Sequence, residues 1–255
     1  MAQNPFESPK LLLNRGRKHL DDLKIQGRAF ADSQPYARFR DFDSETGEYI
    51  HGVRVTTCAP MDLALIAADV LSNFKSALDH ALCASVATLD PSAALNGISF
   101  PFGASLTHYE NARRVGCQKV APEILPIIDM AQPYKGGNDL LWAMNALTGI
   151  NRHRMLQAVA LVAENGFHIR QMISPAKGFS IMVPHWDRVK NELIFFRTAD
   201  PDLAYDLDVE FFIAFGDVEI VGGKPAIPVL NGFSYMVEEI IGAIEAQTTI
   251  IASRP

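Results

Sequence analysis

The feature that most constrains the fold is a change in the spacing of apolar residues at Gly166. In the helical layer before it, apolar residues recur with the period of amphipathic helices, and in the segments directly after it they alternate with polar residues. In 206–215, Leu207, Val209, Phe211, Ile213 and Phe215 occupy alternate positions, and Asp206, Asp208 and Glu210 lie between the first of them. Such alternation predicts a half-buried antiparallel strand with one face toward solvent. A chain that combines helices with strands of this kind belongs to the α+β class.

The same patterns predict the remaining elements. Helices are expected from Ser8-Pro9 to about Ala31, from Met61 to about Ala87, near Pro122 to Met130, from about Asp139 to Glu164, and from Asn231 to about Gln247. Strands are expected over Tyr36–Phe42, Glu48–Thr57, Phe167–Ile173, Gly178–Pro184, Asn191–Arg197 and Asp206–Phe215. A bulge or a tight turn at Gly216-Asp217 would explain why the apolar residues Val218 and Ile220 follow at even positions. The stretch around Pro101 is expected to be irregular.

We therefore predict one α+β domain over residues 1–255. It has a helical layer at about 61–164, a strand-rich part at about 166–230 and a closing helix at about 231–247. Two central helices, 61–87 and 139–164, pack with a mostly antiparallel sheet, and helices stand at both termini. Turn residues in Asp43–Gly47 make the first two strands a hairpin, which is expected to join the later strands because a lone hairpin is marginal in water.

Composition narrows the classes of protein and of partner. A formal net charge of −6 disfavours attraction of the whole surface to nucleic acid or anionic lipid. The N-terminus lacks the basic start and apolar run of a signal peptide, and no apolar run reaches the ~18 residues of a membrane span. The three cysteines, Cys58, Cys83 and Cys117, have no ligand-like spacing. We expect a cytoplasmic protein with reduced thiols and no membrane partner.

The helix 61–87 gathers polar residues on one side. At about 100° per residue, Asp69, Asn73, Ser76 and His80 fall within about 80° of one another. Lys75 and Asp79 flank them as an i, i+4 pair of opposite charge. Two interpretations stay open: a solvated face with an ordinary salt bridge, or a surface that binds a ligand or a second copy of the chain.

The helix 139–164 contains four consecutive polar residues, Asn151-Arg152-His153-Arg154, between apolar flanks. Four consecutive helical residues sweep about 300°, so they cannot all face water in a helix packed on several sides. Buried charges need partners, and Asp79, Asp69 and the neighbouring helix carbonyls are the candidates. The cluster is interpreted either as a structural network or as a pocket lined by His80, Arg152 and His153.

Four segments carry a resemblance. They are Leu71-Ser-Asn-Phe-Lys-Ser-Ala-Leu-Asp-His80, Phe100-Pro-Phe, Gln132-Pro-Tyr and Leu147-Thr-Gly-Ile-Asn-Arg-His-Arg154. In these segments the chain resembles a widespread group of uncharacterised bacterial proteins, in which the first reads Asn-Leu-Arg-Ser-Ala-Leu-Asp-His and the last Asn-x-Ile-Asp-Lys-His-Arg. The match covers most of residues 10–165 and implies no known activity.

The Arg-x4-His spacing of that group is also similar to the signature of HEPN-type ribonucleases, which cleave RNA without metal. The resemblance implies that His80 acts as acid or base and that Lys75, at the arginine position, stabilises phosphate charge. Lysine keeps the charge but loses the bidentate fork of arginine. The strand-rich C-terminal half is not HEPN-like.

The sequence contains none of the common motifs that would predict a cofactor. HExxH, P-loop and GxSxG patterns are missing from the sequence, and no two histidines stand at i, i+4. The spacing therefore predicts no metal site, although His80, His153 and Asp79 could meet in space. Arg38, Arg40 and Arg54 on the hairpin suit phosphate, but nearby Asp41, Asp43, Glu45 and Glu48 dilute that charge, so we do not count them as a nucleic-acid signature.

Three functional hypotheses follow. The first is a ligand-binding or homodimeric interaction module whose polar patch comprises Asp69, Asn73, Ser76, Asp79, Asn151 and His153. The second is a metal-independent ribonuclease with His80 as acid or base and Lys75 or Arg152 on phosphate. The third is a metal-dependent hydrolase built on His80, His153 and Asp79.

Overall fold

The computed structural model describes residues 4–149, 159–173, 180–187, 190, 192–201, 203–216 and 219–254. In chain order the elements are α1 (Glu7–Asp32), β1 (Tyr36–Asp43), β2 (Glu48–Val55), α2 (Met61–Leu89), α3 (Leu106–Gly116), α4 (Leu125–Ala131), α5 (Asp139–Gly149), β3 (Val159–Ile173), β4 (Ser180–Asp187), β5 (Glu192–Thr198), β6 (Ala204–Ala214) and α6 (Ala226–Ala252). Helices at both ends and antiparallel strand pairs confirm the α+β class.

The chain forms two compact units. The helical unit comprises Met1–Lys24, Met61–Gln157 and Phe215–Pro255. The sheet unit comprises Ile25–Pro60 and Ala158–Ala214. The boundary between them falls within α1, which contributes its first part to the helical unit and its end to the sheet unit.

Helix α2 is the centre of the helical unit. Its apolar side is fully buried, with Leu71, Phe74, Leu78 and Leu82 all 0% exposed, and it contacts α5 and α6. Burial of such side chains stabilises the fold by about 1.5–3 kcal/mol each. The contact with α6 includes a buried hydrogen bond of 3.0 Å from Thr248 Oγ1 to Ser85 Oγ.

Helix α1 lies on α2 and α6 through a close approach and an ion pair. A Cβ atom at Gly16 would lie 2.5 Å from the ring of Phe74, so only glycine permits this distance. Arg17 donates to both carboxylate oxygens of Glu238 at 3.1 and 2.6 Å, and to Ser234 Oγ at 2.9 Å. Leu13, Leu20 and Leu23 are buried, as their helical spacing predicts.

The sheet unit contains two antiparallel sheets. One has the strand order β1-β2-β5-β4, and β3 pairs with β6 in the other. The predicted hairpin forms, with Gly47 at φ +70° and its N–H bonded to Asp43 O at 2.8 Å. The expectation that the hairpin joins later strands is confirmed for β5 and β4.

The predicted helix 139–164 is wrong in its second half. Helix α5 ends at Gly149, and 159–164 lie in β3, where Val159 pairs with Ala214 and Leu161 with Phe212. A short apolar run suits a helix or a strand equally, and the distant partner β6 decides the outcome. Asn165-Gly166 lies at a register shift within β3 and does not end an element.

Three further boundaries differ. Helix α3 occupies part of the stretch predicted as irregular, and Ser105 Oγ caps it by accepting from the His108 N–H at 3.3 Å. Strand β6 ends at Ala214, one residue before the predicted Phe215, and 219–221 form a turn, while Asp217 of the predicted bulge or tight turn lies outside the described residues. Helix α6 begins at Ala226, earlier than the predicted Asn231, and therefore includes Pro228 in its first turn. Proline is tolerated there because the first N–H groups of a helix have no acceptor within the helix, so its missing N–H costs no hydrogen bond.

Helix α6 is the one helix in the described part of the chain that is long and apolar enough to cross a membrane, with a mean hydropathy of 1.2 in its most apolar window. Polar residues such as Glu238 interrupt its apolar sequence, so it contains no uninterrupted apolar run of that length. Phe233, Val237 and Ile244 are 0% exposed, so the helix contributes to the core of the helical unit.

Candidate binding surface on helix α2

The polar residues predicted on one side of α2 share that side in the structure. We call Asp69, Asn73, Ser76 and His80 the α2 stripe. Asp69 and His80 are exposed, while Asn73 and Ser76 are half-buried. Met61 and Leu65 continue this side toward the start of α2 and are exposed at 57% and 40%. The exposed residues of this side are therefore Met61, Leu65, Asp69 and His80, with the half-buried Asn73 and Ser76 between the last two.

Local hydrogen bonds orient two members of the α2 stripe. Asn73 Nδ2 donates to the carbonyl of Asp69 at 2.8 Å, one helical turn earlier. His80 Nδ1 lies 2.8 Å from Ser8 Oγ on α1. This contact fixes the direction of the imidazole and leaves Nε2 as the second hydrogen-bonding atom of the ring.

Lys75 and Asp79 turn toward the segment 99–103. Asp79 Oδ1 accepts a 2.7 Å hydrogen bond from the Phe100 N–H, and Lys75 Nζ lies 6.0 Å from the centroid of the Phe102 ring. The structure records no ion pair between these two described residues, so their i, i+4 spacing does not produce the expected salt bridge. Burial raises the pKa of Asp79, against the lowering effects of the Phe100 N–H, Lys75 and His80.

The segment 99–103 is itself held by two other parts of the helical unit. Ser99 N–H bonds to Gly116 O at 3.2 Å, and Gly103 N–H bonds to Pro133 O at 3.1 Å. Gly103 also forms a bridge with Tyr134. Helix α2, 100–102 and 132–134 are therefore linked by this chain of contacts.

Cys83 lies one turn after Asp79 on α2. Burial, and next the charge of Asp79, raises the pKa of this thiol. Because the thiolate is the nucleophilic form, Cys83 is poorly suited to nucleophilic catalysis.

The remaining predicted site residues, Asn151, Arg152 and His153, lie outside the described residues. The proposed contact of the Asn151–Arg154 cluster with α2 therefore stays a prediction. Among the described residues no group of three histidine, cysteine, aspartate or glutamate side chains is placed to hold a metal ion. Lys75 and His80 contact different segments, Phe102 and Ser8.

A polar cluster that the sequence did not reveal joins α3 to α4. The Tyr109 hydroxyl donates to Asp129 Oδ1 at 2.5 Å, and Arg113 Nη2 donates to Asp129 Oδ2 at 2.8 Å. Burial and then the bond to Asp129 raise the pKa of Tyr109, which stays protonated as a donor. Only folding brings residues 20 positions apart together here, and the arrangement acts as a clamp between two helices.

A cleft of about 400 Å³ opens at the end of α2, within the size range of small-molecule sites. Its lining is Val86, Leu89, Asp90, Ala93, Ala94, Lys119 and Ala121. Lys119 Nζ donates to Ala94 O at 2.6 Å, so its ammonium holds the rim of the cleft together. The α2 stripe takes no part in this lining.

Comparison with known proteins gives no relative: no family model, no curated protein and no solved structure matches the chain.

Proposed function

We propose that the protein is a homodimeric interaction module in which the α2 stripes of two copies contact each other. The observation that carries the proposal is the symmetry of the exposed stripe. Its residues are spaced four, three and four, so Asp69 and His80 lie equally far, about 8 Å, from the midpoint between Asn73 and Ser76.

That spacing is self-complementary about a twofold axis. When two α2 helices meet antiparallel across the midpoint, Asp69 of one copy faces His80 of the other, and Asn73 faces Ser76. Each pair joins an acceptor to a donor, and each occurs twice. A shallow crossing of about 20° keeps both outer pairs within reach.

The surroundings favour a second copy of the chain as the partner. Met61 and Leu65 supply exposed apolar area at one end of the surface, and the small side chain of Ser76 lets another helix approach. Ser8 holds His80 Nδ1, which leaves Nε2 for the partner. A contact made by one helix from each copy buries less than a standard interface, so we expect a concentration-dependent dimer.

Substitutions at Asp69 and His80 test the proposal. The self-association of each variant is measured by sedimentation velocity at protein concentrations from about 1 to 500 µM. We expect Asp69→Lys and His80→Asp each to weaken self-association at least tenfold, about 1.4 kcal/mol, because the first places two hydrogen-bond donors opposite each other and the second places two carboxylates opposite each other. The double variant Asp69→Lys/His80→Asp places a lysine opposite an aspartate and should recover most of the affinity. Glu110→Lys, an exposed acid on α3, is the matched control and should leave the dimer unchanged.

A parent protein that stays monomeric over this range would contradict the proposal. A double variant as weak as the single ones would also contradict it, because the two residues would then not face each other.

The ribonuclease hypothesis is a second proposal, and the Ser8 contact is the observation that favours it. A hydroxyl that orients His80 Nδ1 directs Nε2 toward a substrate, as the third member of a catalytic group does. It predicts RNA cleavage that survives EDTA and disappears in His80→Ala. RNA that stays intact with the parent protein would reject it. The hydrolase hypothesis needs His153, and it predicts stoichiometric metal in the purified protein.

We also infer that the protein is bacterial and cytoplasmic. The inference rests on the family resemblance, on cysteines without disulfide or zinc spacing, and on α6 contributing its apolar side to the helical unit. Fractionation of cells that express the full chain tests the location, and recovery in the membrane pellet would overturn it.

A further inference from the structure

The two faces of the β1–β2 hairpin carry different sets of charged side chains. In the register of the pair, Arg40 lies opposite His51 and Phe42 opposite Tyr49, with Arg38 two residues before Arg40. Because side chains alternate along a strand, these five share one face, which we call the arginine face. The contacts agree: the Arg40 guanidinium carbon lies 5.4 Å from the Tyr49 ring centroid, and the Phe42 and Tyr49 centroids are 5.1 Å apart.

The acids of the hairpin strands turn to the other face. Asp43 pairs with Arg197 at 2.7 Å, and Asp41 lies 3.6 Å from Arg54. Arg54 also pairs with Glu192 at 2.6 Å. Asp41 and Asp43, two of the acids that dilute the arginines in the sequence, therefore pair with Arg54 and Arg197 on the opposite side of the sheet, away from Arg38 and Arg40.

The arginine face also presents an open aromatic surface. Phe42 is 59% exposed on β1, which is an end strand of the four-stranded sheet, and it lies beside Tyr49. Exposed rings next to guanidinium groups are the elements with which proteins stack a nucleobase and hold its phosphate.

His51 is the buried member of this face, and its ring nitrogens lack hydrogen-bond partners among the described residues. The residue is 2% exposed, and neither ring nitrogen forms a hydrogen bond within the described part of the chain. The ring stacks on Phe196 at 4.9 Å and meets the edge of Tyr205 at 5.4 Å, so packing explains its position but leaves its polar atoms unsatisfied. Burial, and next Arg40, lowers the pKa of His51, so the imidazole is neutral and keeps one N–H to donate.

We propose that the arginine face binds a mononucleotide, with the phosphate at Arg38 and Arg40, the base on Phe42 and Tyr49, and His51 as a buried donor toward the phosphate. Arg40 donates to the Pro201 carbonyl, which uses one of its five N–H groups. A small ligand fits better than a long nucleic acid because the chain carries a net charge of −6 and Asp206 lies 3.7 Å from Arg38.

The structural alternative is that the two arginines only hold β1 to the start of β6. Arg38 lies 3.5 Å from the Tyr205 carbonyl, and its guanidinium lies over the Tyr205 ring at 5.8 Å. A role in packing alone would appear as a loss of stability in Arg40→Gln without any effect on a nucleotide, so both quantities have to be measured.

Isothermal titration calorimetry of the full chain with AMP, adenosine and inorganic phosphate tests the proposal. We expect AMP to bind saturably and at least tenfold more tightly than adenosine or phosphate, because only AMP engages both halves of the site. Arg40→Gln should weaken AMP at least tenfold. Arg28→Gln, an exposed arginine of the sheet unit whose side chain is 84% exposed, is the matched control and should change it less than twofold.

Two further arms separate the outcomes. His51→Leu should weaken AMP several-fold without lowering the thermal midpoint, because leucine fills the space and removes the unsatisfied nitrogens. The absence of AMP binding up to 5 mM, or equal losses in Arg40→Gln and Arg28→Gln, would overturn the proposal. Oligoadenylate that binds more tightly as its length increases would overturn the mononucleotide and assign the face to single-stranded nucleic acid.

Discussion

Replacing Asp79 by asparagine and by alanine separates the two roles of this carboxylate on α2. Asp79 Oδ1 accepts the Phe100 N–H at 2.7 Å, and Phe100 is 3% exposed, so water cannot replace a lost acceptor. Alanine leaves that N–H unsatisfied at a cost of about 1–3 kcal/mol. At about 2–4 °C per kcal/mol for a chain of this size, the thermal midpoint should fall by about 2–12 °C.

Asparagine keeps the acceptor and removes the charge. Its side-chain carbonyl can take the same hydrogen bond, and the cost of burying a carboxylate disappears. We therefore expect Asp79→Asn to unfold at the same temperature as the parent protein or at a higher one at pH 7.5. The two variants should differ by most of the alanine effect.

The pH dependence follows from the direction of the pKa shift. Burial raises the folded-state pKa of Asp79 above 3.8, so on acidification the folded state takes up this proton before the unfolded state does. The group therefore adds stability to the parent protein as the pH falls from above the raised pKa toward 3.8. Any advantage of Asp79→Asn should shrink over that interval.

Scanning calorimetry of the parent and both variants at pH 7.5 and 5.0 measures these effects. An asparagine variant as unstable as the alanine variant would refute the reasoning, because the charge and not the hydrogen bond would then hold the segment 99–103. An advantage of asparagine that grows toward acid would refute the assigned direction of the pKa shift.

The structure also predicts whether three other substitutions raise or lower stability. Gly103→Ala would put a Cβ atom 2.3 Å from the backbone nitrogen of Tyr109, and we expect a loss of about 1–3 kcal/mol or more in urea denaturation. Gly16→Ala would meet the Phe74 ring at 2.5 Å, so α1 should loosen and its amides should exchange faster in hydrogen-exchange measurements. His51 has a folded-state pKa below 6.5, so the parent protein should lose stability as the pH falls through 6.5 because the unfolded state binds the proton first. The thermal midpoint of His51→Leu should show less of this acid loss, and an identical pH profile would reject the explanation.

Local patterns in the sequence predicted elements well wherever one period ran over a long segment. The wheel of α2 separated Phe74 and Leu78, which are 0% exposed, from Asp69 and His80, which face solvent. Asn138, just before α5, is of a residue type that commonly caps helices, and its Oδ1 accepts from the Leu141 N–H at 3.0 Å. Both features depend on residues that are close together in the chain, and the relative positions of such residues follow from their spacing.

Contacts between distant segments decided the rest. The run that begins at Val159 is a strand because β6 pairs with it, and nothing within the run distinguishes a strand from a helix. Asp79 has the spacing to pair with Lys75, yet it accepts the Phe100 N–H, because a buried carboxylate takes the donor that folding brings to it.

The amino-acid sequence by itself determined the α+β class, the hairpin and the polar side of α2, because these depend on periodicity and on turn and cap residues. Tertiary structure alone decided that the buried His51 lies opposite Arg40 with no hydrogen-bond partner for its ring nitrogens among the described residues, while Asp41 and Asp43 pair with arginines on the other face. The physical reason is that the sequence specifies which side chains can carry a charge, whereas the partners and the burial of each side chain depend on which distant strand or helix lies beside it.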